Sequence, residues 1–326
     1  MVKLSICVTT YNLKNVINQT LQSIFDQETE YSFEVLIGDD GSSDGTIEEV
    51  KIWQSKYPNM VFVYLMDRDK DKEYDHITRA SSNRYNLLRH AKGEYVTFLD
   101  GDDFYIDKNK VQKQIDILEK NQDCNFCAHN INYYYEKSEE TSPVGQLNCY
   151  KKVQKFSFKE FWERGLYVHA ESCIFRRNFD LAKENEEFYK NYFDDNFIVY
   201  LAFQKGKCFY IPEIMVNYRQ HENGYFNWDK TERELLDLLD LDAEIKFNQK
   251  NKTAAITRHY SSINTLIKNK SVNFLEKYPK LYDKAQKDQA YFTTRIMEKK
   301  LSRSKWQLSK IGIVLKKMIY KIKNFI

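Results

Sequence analysis

Four short apolar runs, alternating with helical segments, constrain this chain more than any other feature. Lys3–Val8, Phe33–Gly38, Val61–Leu65 and Tyr95–Leu99 read as short buried strands. Between the first two, Asn15–Phe25 puts Val16, Ile17, Leu21, Ile24 and Phe25 on one helical face. Thr46 and Glu49 suit a capping box that opens a second helix towards Tyr57, and a third helix runs through Leu87 and Leu88. Strand and helix alternate, so the connections are crossovers and the sheet is expected to be mostly parallel. The predicted class is an α/β fold.

Each of three strand ends carries a polar cluster: Thr9-Thr10-Tyr11-Asn12, Asp39-Asp40 and Asp100-Gly101-Asp102-Asp103. Parallel strands place all three on one rim, the rim where open α/β sheets bind ligands. The last cluster packs three carboxylates into four residues. Like charges so close repel unless a cation holds them, and hard divalent metals take oxygen ligands. Gly101 is expected to let the backbone turn sharply between the acids. Alone, the cluster reads more readily as a solvated turn capping the next helix. As the third cluster on one rim, it reads as part of a site.

Composition narrows the classes further. Over 326 residues, 42% apolar and 30% charged residues give a globular balance, enough for one large domain or two. A net charge of +3 gives no nucleic-acid signature. Met1–Val8 is too short for a secretory h-region, and no uncharged apolar stretch reaches membrane-spanning length. Cysteines 7, 124, 127, 149, 173 and 208 are scattered, and Cys124-x-x-Cys127 lacks further zinc ligands at suitable spacing, so buried free thiols and a reducing cytoplasm are expected.

Taken in order, these motifs resemble family 2 glycosyltransferases, which are nucleotide-sugar-dependent enzymes with the GT-A fold. Ser5–Asn12 resembles the family's opening strand and nucleoside-binding turn, which implies nucleotide-sugar contacts for Thr9, Thr10, Tyr11 and Asn12. Ile37–Thr46 is similar to the second motif, where an aspartate recognises uracil; Asp40 is the best match. Arg84-Tyr85-Asn86, followed by Ala91–Asp100, resembles the run into the metal motif. The resemblance implies a UDP-sugar donor and Mn²⁺ or Mg²⁺. Arg84 can clamp diphosphate oxygens with its guanidinium fork. Asp102 matches the metal-binding acid, while Asp100, Gly101 and Asp103 contact the sugar-nucleotide or complete the metal shell. The Asn-x-Gly that often precedes the arginine helix is replaced here by the charged run Arg68–Glu73.

Further along, a helix is expected from Asn109 to Lys120, strands near Phe126–Tyr135 and Gly145–Phe156, and a short helix over Ser157–Trp162. Val168–Arg177 reads as a loop entering a strand, in the region the family uses for acceptor contact. His169 and Glu171 are candidates there, each equally open to a structural hydrogen bond. Asp194-Asp195 resembles the family's acidic pair before a helix, in which the second acid is the general base. An acid at a helix N-terminus is also favoured by the dipole, and both roles can coexist. His221 matches a histidine that reaches metal or diphosphate, with Arg219 in support.

The expected division is a catalytic domain over 1–228 and a helical region over 229–326. Ile311, Val314, Leu315, Met318, Ile319, Ile322, Phe325 and Ile326 fall on one helical face, with lysines 310, 316, 317, 321 and 323 opposite. Such a helix suits the anionic inner face of the cytoplasmic membrane, or alternatively a packed or dimeric partner. The leading expectation is an inverting transferase moving sugar from a UDP-sugar to a glycan or lipid-linked acceptor. A nucleotidyltransferase and a catalytically silent, membrane-attached carbohydrate-binding scaffold are the alternatives. The former lacks its Gly-rich triphosphate loop at Thr9–Asn12, and the latter would have lost Asp102 or Asp195.

Overall fold

The computed structural model describes residues 2–67, 76–144, 150–163, 166–181 and 193–221, with a few isolated positions. The chain divides into two compact units: residues 1–161 with 166–227, and residues 162–165 with 228–326. The charged run Arg68–Glu73 and the basic amphipathic helix lie outside the described residues, as does the expected helical region apart from one isolated position.

The first half follows the alternation read from the sequence: β1 (Leu4–Thr10), α1 (Ile17–Phe25), β2 (Phe33–Asp39), α2 (Thr46–Lys56), β3 (Val61–Leu65), α3 (His76–His90) and β4 (Tyr95–Asp100). These strands lie parallel in the order β3-β2-β1-β4. Ile6, Val8, Val35, Ile37 and Leu99 from the strands close on Ile17, Leu21 and Ile24 of α1, all at most 1% exposed. Burying such a side chain contributes roughly 1.5–3 kcal/mol. Register does the functional work. Thr10 pairs with Asp39 and Thr9 with Asp100, so the three polar ends meet side by side.

Beyond β4 the sheet becomes mixed. β5 (Phe104–Tyr105), α4 (Lys110–Lys120), β6 (Cys124–Tyr135), β7 (Glu140–Val144), β8 (Gln154–Phe156) and α5 (Phe158–Glu163) come next in the chain. A single 3-10 turn (Ala170–Ser172), β9 (Ile174–Arg176), α6 (Asp195–Phe203) and β10 (Lys207–Gln220) complete the described elements. β9 is antiparallel to both β4 and β6, and the long β6 and β10 run parallel with register shifts. Of the strand expected over 145–156, the described residues contain only the three-residue β8, while β7 ends ahead of it at Val144.

Two local expectations are corrected. α2 is not opened by a Thr46–Glu49 box: Gly45 occupies the N-cap at φ 102°, and Asp44 accepts from the Thr46 N–H and hydroxyl. A left-handed residue there favours glycine over any cap side chain. Gly101 does not sit at positive φ. A Cβ on it would lie 2.8 Å from the Thr9 carbonyl oxygen, the same oxygen that accepts the Gly101 N–H. Close approach of β1, and not turn conformation, demands this glycine. The described cysteines 7, 124, 127, 173 and 208 are free, buried thiols, as expected.

Lys110 is wholly buried on α4, bonded to Gln114 Oε1 at 2.9 Å and lying over the Tyr105 ring. Burial lowers its pKa from 10.5 to about 8, which corresponds to about 3 kcal/mol against the charged form. The unfolded chain therefore holds more protons between those values, and stability rises with pH across that interval. Lys110→Met removes the cost but strands the Gln114 oxygen, at about 1–3 kcal/mol. The net expectation is a melting temperature higher by about 2–4 °C at pH 7. That difference shrinks above pH 8, which calorimetry of the two proteins across pH reads directly.

Candidate active site

The turns after β1 and β2 interlock. Asn12 adopts φ 53°, and its side-chain oxygen accepts the Ser43 N–H while its own N–H donates to Ser42 Oγ. Asp39 spends its carboxylate on the Gly41 and Ser42 N–H groups and the Ser42 hydroxyl. That leaves Asp40 as the acid of the pair not consumed by the turn. Asp40 is 6% exposed and ion-paired with Arg79 of α3. α3 lies close because Asn83 donates to the Gly38 carbonyl at 2.8 Å, in space that any Cβ on residue 38 would occupy.

Next to Asn83 on the same helix, Arg84 reaches the acidic cluster. Its Nη2 donates to both oxygens of Asp100, at 2.9 and 2.8 Å, and the Thr9 hydroxyl donates to Asp100 Oδ1 at 2.7 Å. Burial pushes the Asp100 pKa up, but the charge of Arg84 and the hydrogen bonds from Thr9 and Arg84 outweigh it and hold the carboxyl below its ordinary range. The Arg84 Nη1 lies 3.4 Å from Asp195 Oδ1. A single guanidinium thus joins the acid at the end of β4 to the acid at the start of α6.

Asp102 and His221 meet on the other side, Oδ2 to Nε2 at 2.9 Å. That bond raises the His221 pKa above its ordinary value. Arg219 braces the turn by donating from Nε to the Asp102 carbonyl, with its main-chain N–H on Asp103 Oδ1 at 2.8 Å. The second Asp103 oxygen is buried without a hydrogen bond. Burial first, then the neighbouring Asp102, Glu171 and Asp100 charges, push the Asp103 pKa well up. A buried carboxyl with an orphaned oxygen, beside a second carboxylate and an imidazole, suits a hard divalent cation. Asp102 and His221 face each other directly, whereas one Asp103 oxygen is committed to Arg219.

Asp194 and Asp195 divide their tasks. Asp194 caps α6 by accepting the Phe197 N–H at 2.9 Å. Asp195 Oδ2 accepts the Ala170 N–H at 3.1 Å and the Tyr167 hydroxyl at 3.3 Å. His169, Glu171 and Asp195 offer ligand atoms within 4.8 Å of one another. With Arg84 against one Asp195 oxygen and two donors on the other, a second cation there meets unfavourable charge. Glu171 is only 4% exposed.

The expected residues fall on the turns after β1, β2 and β4, on α3 (Arg84), at the Ala170–Ser172 turn (His169, Glu171), at the start of α6 (Asp194, Asp195) and just after β10 (His221). Two contributors were missed, Arg79 and Tyr167, while Arg219, expected to support His221, braces the Asp102 carbonyl. Only Arg79 left a trace in the sequence, as a cation five residues before Arg84 on the same helix. No helix among the described residues is long and apolar enough to cross a membrane.

An α/β sheet whose parallel half ends in interlocked polar turns and an acidic cluster, continued by a mixed half carrying a second acid, is the arrangement of a GT-A-like glycosyltransferase fold. The chain belongs to glycosyl transferase family 2, whose model matches residues 5–181. An uncharacterised Mycobacterium tuberculosis protein, Rv1520, is 27% identical over 241 residues, spanning 71% of this chain and 62% of its own length. The chain thus spans less than two thirds of that relative. A Campylobacter jejuni GalNAc(5)-diNAcBac-PP-undecaprenol beta-1,3-glucosyltransferase is 25% identical across 67% of this chain and 65% of its own. Among solved structures, S. aureus TarS 1-349 in complex with UDP-GlcNAc superposes with a TM-score of 0.61 at 16% identity, covering 91% of this chain and 83% of that one. At that identity the likeness supports the fold alone.

Proposed function

We propose that this protein is an inverting glycosyltransferase that moves a sugar from a UDP-sugar to a hydroxyl of a glycan acceptor. The acceptor class favoured is a lipid-linked oligosaccharide or surface-polysaccharide precursor, in keeping with the undecaprenol-linked substrate named for the Campylobacter relative. The observation that carries the reading is Arg84, held between Asp100 and Asp195. It ties the donor-side acid to a carboxylate kept ready as a base.

Thr9, Thr10, Tyr11, Asn12 and Asp40 receive the nucleoside, with Asp40 accepting from a base edge and Tyr11 offering its ring. Asp102, Asp103 and His221 would hold Mn²⁺ or Mg²⁺, which supplies charge neutralisation to the departing diphosphate. Asp195 takes the proton of the acceptor hydroxyl as that oxygen bonds the anomeric carbon. The bond from that carbon to UDP breaks with its electron pair leaving on UDP, and attack from the opposite face inverts the centre. Arg84 moves some of its charge towards the diphosphate as UDP departs. Asp194 fixes the start of α6, and with it the direction of Asp195. His169 and Glu171 form the acceptor side. The basic segment after residue 305 attaches the protein to the inner face of the cytoplasmic membrane, beside a lipid-linked substrate.

A thermal-shift screen of UDP-glucose, UDP-galactose and UDP-N-acetylglucosamine with Mn²⁺ tests the donor half. At least one raises the melting temperature of the wild type, and Asp40→Ala abolishes the rise. An equal rise in Asp40→Ala sinks the nucleoside assignment.

A further inference from the structure

The apolar face of α4, formed by Val111, Ile115 and Leu118, is interrupted by two polar side chains one turn apart, Lys110 and Gln114, both wholly buried. The Lys110 ammonium donates to Gln114 Oε1 at 2.9 Å. Gln114 Nε2 donates to two main-chain carbonyls, that of Cys127 on β6 at 2.7 Å and that of Ser172 at 2.9 Å. An ammonium only donates and a carbonyl only accepts, so one orientation of the amide meets all three partners. Its two hydrogens match the two carbonyls. Packing alone does not require an amide among aliphatic side chains, and a buried polar group so fully bonded is costly to lose.

The second carbonyl leads to the reaction centre. β9 pairs with β6 at Phe175–Phe126 and Ile174–Cys127, and the Gln114 amide joins β6 to the turn that leads into β9. Ser172 closes that turn, donating from its N–H and its hydroxyl to the His169 carbonyl at 3.0 and 2.7 Å. The hydroxyl of Thr97 on β4 holds the next carbonyl, that of Cys173, at 2.7 Å. At the other end of the turn the Ala170 N–H donates to Asp195 Oδ2 at 3.1 Å. The direction of Asp195 is thus set twice, by its place at the start of α6 and by α4 acting through the turn.

We propose that Gln114 is a positioning residue for Asp195. Its two hydrogens tie the Ala170–Ser172 turn to β6, and the tied turn keeps the Ala170 N–H on the carboxylate that removes the acceptor proton. Without the tie, Asp195 stays on α6 but turns away from the productive direction, and a displacement of about 1 Å costs up to about 10²-fold in rate. Being wholly buried, Gln114 meets neither donor nor acceptor, so substrate affinity is unaffected. The proposal rests on Asp195 as the base, but its first test needs neither donor nor turnover.

That test is proton–nitrogen NMR of the full chain labelled with ¹⁵N-alanine, Ala170 being assigned by the signal lost in Ala170→Gly. An amide hydrogen on a carboxylate is in a short, charge-assisted bond and is strongly deshielded. Asp195→Asn weakens that bond and moves the Ala170 proton signal upfield. Gln114→Met, with folding checked by its melting transition, moves it the same way. Lys110→Met disturbs the same core but leaves both amide hydrogens on their carbonyls, and the signal stays. If Gln114→Met does not fold, Lys110→Met/Gln114→Met, which strands no buried cation, takes its place. An Ala170 signal unmoved by loss of the Gln114 amide overturns the proposal, as does an equal movement in Lys110→Met.

Turnover then separates positioning from folding. The readout is UDP release from UDP-glucose, UDP-galactose or UDP-N-acetylglucosamine, whichever binds, with water as acceptor. Gln114→Met lowers kcat roughly 10-fold with KM unchanged. On the Asp195→Asn background the same substitution costs less than about twofold, because the residue through which it acts is already disabled. Equal losses on both backgrounds overturn the proposal. Failure of the base assignment reads out separately, as UDP release that survives Asp195→Asn while the Ala170 signal still follows Gln114.

Discussion

Asp195→Asn lowers the rate of sugar transfer by roughly 10²–10⁴-fold while leaving UDP binding in place. The amide keeps the size of the side chain and can still accept from the Ala170 N–H and the Tyr167 hydroxyl, so the local fold persists. What it cannot do is take a proton from the acceptor. Arg84 retains its two bonds to Asp100 and stays placed. The measurement is UDP release in the presence of an acceptor, alongside UDP titration of the same preparation. Asp194→Asn is milder, because its observed task is to accept the Phe197 N–H, which an asparagine oxygen also does.

Asp102→Asn gives the second large effect, a loss of about 10²-fold or more in transfer together with weakened UDP binding. Here the missing element is the negative charge that a divalent cation needs, and chelation of the wild type is expected to reproduce the loss. The partner residue adds a pH signature. The Asp102 bond raises the His221 pKa, so the imidazole keeps its proton to higher pH than usual. A cation competes with that proton, and metal affinity therefore rises with pH until His221 is neutral. Mn²⁺ titrations at several pH values check the sign: affinity that falls with rising pH contradicts a His221 ligand.

Much of this was legible because strand ends carry their chemistry in sequence order. Thr9–Asn12, Asp39-Asp40 and Asp100–Asp103 each follow an apolar run, and parallel pairing does the rest: Thr9 must end beside Asp100 once β1 and β4 are in register. The mixed half of the sheet was harder to read. Its strands pair over long sequence separations, such as β9 with both β4 and β6, and no local period announces that. The extent of β7 and β8 was missed for the same reason. Gly101 looked like a turn glycine, but only the packed structure shows the Thr9 carbonyl where its Cβ would be. Arg79 and Tyr167 escaped because their significance is a partner, Asp40 for one and Asp195 for the other. Glu171 was visible as a residue but not as a buried one.

Calorimetric titration of UDP tests the account most directly, run with Mn²⁺ and with a chelator on the wild type, Asp102→Asn and Asp195→Asn. The account predicts saturable UDP binding to the wild type that depends on Mn²⁺, is weakened in Asp102→Asn and is retained in Asp195→Asn. Binding that ignores the chelator, or that survives Asp102→Asn and disappears in Asp195→Asn, would contradict it.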